Sequence, residues 1–195
     1  SGFEEPLTTH ADHFNTNYAY RNASYIKGAV FLVHLGYIIG AEMRDNVLLE
    51  YYRLWKFKHP NSTDFIRIAE KMSAVKLDWY KEYWVNSIKT IDYAFDSLWE
   101  QGGKTRIRIK RVGQMPMPVD LQLKFKDGSA EMHNIPLDLM YGTKPAEDTL
   151  KRKVYPAWHW TDDTYVIESD RRLADIAIAE IDPSQRLADV ERKNN

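Results

Sequence analysis

The segment Ser24-Tyr25-Ile26-Lys27-Gly28-Ala29 sets a phenol and an ammonium two residues apart at the head of a nearly uncharged run that reaches Gly40. From Tyr25 to Ile39 the only formal charge is Lys27. A helix that is apolar nearly all round is a buried one. A tyrosine and a lysine at its start can therefore reach a cleft while the rest of the helix anchors them. Of the six histidines, only His10 and His13 lie close together. Three apart on a helix, they could share a metal. The pair lacks the i, i+4 spacing and the intervening glutamate of a metallopeptidase zinc helix, and its segment has no helical period, so it reads as solvated loop. His34 falls inside the apolar run and reads as a hydrogen-bonded core residue. His159, between Trp158 and Trp160, reads as the opposite face of a strand. With no cysteine in the chain, disulfides, thiolate catalysis and cysteine-ligated metals are excluded. No Gly-rich phosphate loop and no Gly-x-Ser-x-Gly elbow occurs. A self-contained active site does not assemble from these residues.

The elements that must hold them fall into two periodicities. Residues 1–22 are polar and turn-rich and read as a loop lead-in. Asn22 or Ser24 can cap the apolar helix and Gly40 stops it. Met43, Val47, Leu48, Tyr51, Leu54 and Trp55 step by three and four, which predicts a helix from about 41 to 57. His59-Pro60-Asn61 breaks it. Ser62 or Thr63 then caps a third helix. A fourth runs from about Leu77 to Asn86, its aromatics Trp79, Tyr80, Tyr83 and Trp84 serving helix packing. After Ile91 alternation takes over, with strands expected near 93–98, 106–112, 119–125, 130–135, 154–160, 164–168 and 176–181. Asp127-Gly128 reads as a hairpin turn, Met140 to Arg152 as a long loop, and short strands with turns between them predict a β-sandwich.

The chain has 195 residues, enough to bury a core in one large or two small domains. Its 27 basic and 28 acidic residues leave a net charge of −1 and no broad lure for nucleic acid. Lys104, Arg106, Arg108 and Lys110 alternate with Ile107 and Ile109, the solvated face of one strand. The best apolar run, Ala29 to Ile39, is about half of the ~20 residues needed to span a bilayer, so no membrane span is expected. Ser1-Gly2-Phe3 is no signal peptide and carries no initiating Met, which suggests a cut in a longer protein or a tag remnant.

In order and spacing, several segments resemble the C-terminal part of aminopeptidase-N-like zinc metallopeptidases, the gluzincins. Tyr25-Ile26-Lys27-Gly28-Ala29 with Leu35 and Gly40 is similar to the family's Tyr-x-Lys-Gly helix. Leu77-Asp78-Trp79-Tyr80 followed by Trp84 resembles its Asp-Leu-x-x-Phe-x-x-x-Trp pattern, with Lys76 where the aspartate would stand and Tyr80 in place of phenylalanine. Met115-Pro116-Met117-Pro118-Val119 resembles the opening of the β-domain in bacterial members. The likeness covers most of residues 15–182.

The resemblance implies an α+β chain with an N-terminal helical subdomain of about four helices, part of a thermolysin-like lobe, followed by an antiparallel β-sandwich. It implies a helical C-terminal part of the catalytic domain over 23–90, the sandwich over 91–182 and a polar tail over 183–195. It implies Tyr25 as the catalytic residue, its hydroxyl donating to the oxyanion of the tetrahedral intermediate, with Tyr20 lining the substrate cleft. Zinc belongs to the full-length parent. Its His-Glu-x-x-His ligands are absent from this sequence, and an upstream part of the same polypeptide would be the partner that carries them. The substrate class is peptides trimmed at their N-terminus, and the setting a bacterial envelope or secreted one. The alternative reading is a non-catalytic, peptidase-like scaffold or interaction module.

Overall fold

A computed structural model describes residues 4–195; the reading of Ser1-Gly2-Phe3 lies outside the described residues. The chain forms two compact units. One runs to Lys89 and takes in Leu139–Pro145; the other comprises Thr90–Asp138 and Ala146–Asn195. The class is α+β, with the helices first.

The helical unit opens with α1 (Asn17–Arg21), a π-helical stretch (Asn22–Lys27) and α2 (Gly28–Ile39), which follow one another without a break. The expected loop through residue 22 is thereby corrected. Thr16 is extended (φ −147°), and its Oγ1 accepts the amide of Ala19 at 3.0 Å, so the helix starts there and not at Asn22 or Ser24. The uniformly buried helix is also corrected. His34 to Gly40 are buried, but Tyr25, Ile26, Ala29 and Val33 lie exposed on one side of the earlier turns. Gly40, at φ +90°, turns the chain from α2 into α3 (Ala41–Trp55). α4 (Ser62–Ser73) is capped by Asn61, just ahead of Ser62 and Thr63. Its Oδ1 accepts the amides of Thr63 (2.9 Å) and Asp64 (3.2 Å), while Asp64 Oδ2 accepts the amide of Asn61 at 2.9 Å. A single turn, α5 (Asp78–Tyr80), passes into a second π-helical stretch, Lys81–Val85. Tyr80 stacks on Phe31 with ring centres 5.0 Å apart and donates its hydroxyl to the Phe31 carbonyl at 2.7 Å. From far along the chain, Leu139–Pro145 completes this unit. Met140 O accepts the amide of Lys76 at 2.8 Å, and Lys144 Nζ lies 3.6 Å from the Tyr37 ring centre.

The second unit holds seven strands in two sheets among the described residues. β1 (Tyr93–Gln101), β2 (Lys104–Arg111) and β6 (Thr164–Ser169) form an antiparallel sheet in the order β1-β2-β6. The β1–β2 turn is Gly102-Gly103, with φ +62° and +76°. A two-residue hairpin whose twist matches its strands needs such positive values at both central residues. β3 (Val119–Phe125), β4 (Ala130–Ile135), β5 (Lys151–Val154) and β7 (Ile176–Ile181) form a sheet in the order β5-β4-β3-β7. This second sheet is mixed, because β5 runs parallel to β4; the purely antiparallel expectation is corrected to that extent. The strand expected at 154–160 is displaced to Lys151–Val154, since Pro156 cannot donate to a ladder.

Both sheets bury alternate side chains, Thr105, Ile107 and Ile109 from β2 and Leu121, Leu123 and Phe125 from β3. On the outer side of β2, Lys104 and Arg106 meet Glu168 at 3.0 and 3.3 Å, and Arg108 meets Asp96 at 3.5 Å. Cross-strand carboxylates thus answer the basic face, as a solvated strand face requires. The tail is tied to the start of β1, where Asp189 Oδ2 accepts the amide of Tyr93 at 2.9 Å.

Candidate functional site

Tyr25 sits in the π-helical stretch with 66% of its surface exposed. Its ring meets Tyr20 edge-to-face at 6.4 Å, and Tyr20 meets Phe14 in the same manner at 5.5 Å. The row depends on the widened turns. At about 100° per residue, positions five apart on a regular α-helix point roughly 140° away from each other. From Asn22 onward the i→i+5 turns hold more residues each, which narrows that angle and leaves the Tyr25 ring within reach of Tyr20 in the last turn of α1. Tyr20, 38% exposed, becomes the flanking ring of Tyr25.

Lys27 points the other way. Its Nζ donates to the Ser87 carbonyl at 2.6 Å and lies 5.6 Å from the Trp84 ring centre. Trp84 Nε1 donates in return to the Lys27 carbonyl at 3.1 Å. The two π-helical stretches are therefore joined by reciprocal bonds between Lys27 and the 84–87 region. Burial lowers the Lys27 pKa, partly offset by the carboxylate of Glu4. The Trp84 ring also packs edge-on against His34, with centres 4.5 Å apart. Spacing alone places Trp84 only in helix packing; its indole N–H, aimed at a backbone carbonyl 57 residues earlier, leaves no pattern in sequence.

The remaining candidates stand apart from this row. His10 caps and His13 ends a short 3₁₀ turn (Ala11–His13), both exposed, and His10 Nδ1 accepts the amide of Asp12 at 3.3 Å. His159 is in a turn and not a strand, with Nδ1 3.2 Å from Asp138 Oδ2. Among the described residues no three His, Cys, Asp or Glu side chains gather as a metal site. Zinc does not fit the donor sets present in these residues. A groove of about 410 Å³ lies along the end of α4, lined by Arg67, Glu70, Lys71, Lys76 and Tyr141 among others. Tyr25 does not line it, and Glu70 Oε1 is already held by the Leu77 amide at 2.8 Å. No helix in the described residues is long and apolar enough to cross a membrane.

Two buried imidazoles give the chain an acid limit. Burial lowers both His34 and His133 to about 4 from the ordinary 6.5. His133 Nδ1 lies 2.9 Å from the Tyr155 hydroxyl, inside the β unit. The folded state keeps both rings neutral while the unfolded chain takes up protons first. Their contribution is whole above pH about 6.5 and is lost as pH falls toward 4. Urea titrations are expected to show about 3 kcal/mol of stability lost per histidine across that window. A flat profile between those pH values contradicts the assignment.

No family model matches the chain, and no curated protein matches it. Among solved structures it is similar to Legionella pneumophila aminopeptidase A, crystallised in complex with aspartic acid. The TM-score is 0.58 at 13% identity, covering 87% of this chain and 18% of that one. At that identity the likeness shows the fold alone, which is peptidase-like. The chain spans less than a fifth of that protein's length.

Proposed function

We propose that this chain is part of a zinc-dependent aminopeptidase of the aminopeptidase-N-like gluzincin group, and that it supplies one wall of the cleft. The observation that carries the reading is the exposed phenol of Tyr25, held on a widened helical turn against the ring of Tyr20. A phenol donates one hydrogen bond, and a donor fixed in advance where negative charge develops stabilises a tetrahedral oxyanion. Tyr25 fills that role, and Tyr20 flanks the bound peptide. Since no three His, Cys, Asp or Glu side chains gather among the described residues, the metal is held by another part of the same polypeptide. The exposed apolar stripe of Ile26, Ala29 and Val33 beside Tyr25 gives that part a surface to face. The 195-residue chain by itself is inert.

The test is release of free N-terminal residues from short peptides by the full-length gene product. Hydrolysis that stops on zinc chelation and returns on zinc addition is the expected result. A folded full-length protein that leaves peptides intact at every metal loading overturns the reading and favours the peptidase-like scaffold.

A further inference from the structure

We infer that Trp84 and Lys27 are positioning residues, which hold the widened turn open and so keep Tyr20 against Tyr25. The inference rests on the reading of Tyr25 given above. A π-helical stretch is rare in isolation, because its hydrogen-bond geometry is poorer than that of an α-helix, and it persists where surrounding groups stabilise it. Here the surroundings are specific. The Lys27 carbonyl, at the last residue of the stretch, accepts the indole N–H of Trp84 at 3.1 Å. The Lys27 ammonium spans to the Ser87 carbonyl at 2.6 Å and faces the Trp84 ring. Trp84 lies in the second π-helical stretch and is itself buried against His34. One residue is thus gripped at both its backbone and its side-chain end.

The consequence falls on the other side of the turn. If the stretch tightened to regular α-helix, Tyr20 and Tyr25 would diverge by roughly 140° and their ring contact would break. The tyrosine hydroxyl would then sweep through a wide arc relative to α2. The Trp84–Lys27 pair therefore sets the direction of the Tyr25 side chain without touching it.

The test is nuclear magnetic resonance on the 195-residue chain with ring-labelled tyrosine. Wild type is expected to show a cross-peak between the Tyr20 and Tyr25 ring protons. Trp84→Phe keeps a packed ring and removes the N–H donor; it is expected to abolish the cross-peak and to speed amide exchange from Tyr25 to Gly28 at least tenfold. Lys27→Met keeps the aliphatic stem, removes the ammonium and serves as the second variant should Trp84→Phe not fold; the same changes are expected. A cross-peak of native intensity in a folded variant of either kind overturns the inference. In the full-length peptidase, Trp84→Phe is expected to lower kcat at least tenfold with KM little changed, and to add nothing in the Tyr25→Phe background. Additive losses would overturn the positioning role. A lost cross-peak together with a Tyr25→Phe protein of normal turnover would instead leave the positioning intact and remove the proposed reaction.

Discussion

Tyr25→Phe in the full-length protein is expected to lower kcat for peptide hydrolysis about 10²–10³-fold, with KM changed little. The substitution deletes one oxygen. The ring stays, so the edge-to-face contact with Tyr20 stays with it. Because the side chain is mostly exposed, folding stability should move by less than about 0.5 kcal/mol. A loss confined to kcat marks a bond made only as charge develops on the substrate oxygen, since uniform binding would appear in KM. Steady-state kinetics on an N-terminally cleaved peptide, beside a thermal melt of the same protein, separates these outcomes. Near-normal turnover in a normally folded variant removes Tyr25 from the reaction.

Tyr93→Phe carries the largest expected effect on stability. The Tyr93 hydroxyl is fully buried at the start of β1; it accepts the amide of Met117 at 2.7 Å and donates to the carbonyl of the same residue at 3.0 Å. One phenol thereby satisfies both backbone groups of a buried methionine just before β3. Phenylalanine would fill the space and leave an N–H and a C=O dry and unpaired. Each such orphan costs about 1–3 kcal/mol, so a loss of about 2–6 kcal/mol in a urea titration is expected. A loss under about 1 kcal/mol would show that water reaches Met117. Burial also raises the pKa values of Tyr93 and Tyr80 above the ordinary 10.0. The folded chain keeps these phenols protonated while the unfolded chain ionises them. Their contribution is whole below pH about 10 and falls by about 1.4 kcal/mol per pH unit for each above it. Tyr93→Phe should remove its own share of that slope.

Local pattern carried far in this sequence where one residue's neighbours lie three, four or two positions away. The three- and four-residue steps from Met43 to Trp55 match α3 (Ala41–Trp55). Asp127-Gly128 turns β3 into β4, with Gly128 at φ +84°. The Gly102-Gly103 hairpin, between the strands expected at 93–98 and 106–112, carries an equally strong turn signal that the reading of the strands leaves unused. What stayed hidden depends on partners distant in the chain. The parallel pairing of β5 with β4 overrides the apolar run after Val154. Asp138, not strand alternation, sets the place of His159. The π-helical stretch over Asn22–Lys27 is the clearest case for the candidate site. Its residues have no composition that distinguishes five-residue turns from ordinary ones, and it is Trp84, far along the chain, that grips it. Tyr25 stands out in the sequence by its motif; its ring contact with Tyr20 does not.

The parallel ladder between β4 and β5 imposes an order of events on biosynthesis. Two parallel neighbours cannot be joined by a tight turn, so the polypeptide must make a detour between them. Here the detour covers residues 136–150, and Leu139–Pro145 within it belongs to the helical unit. On the ribosome, that unit still lacks its Leu139–Pro145 segment when Lys89 emerges, and receives it only once Pro145 has cleared the exit tunnel. A protease cut at exposed Tyr141 would accordingly loosen helices whose own peptide bonds had ended some fifty residues earlier.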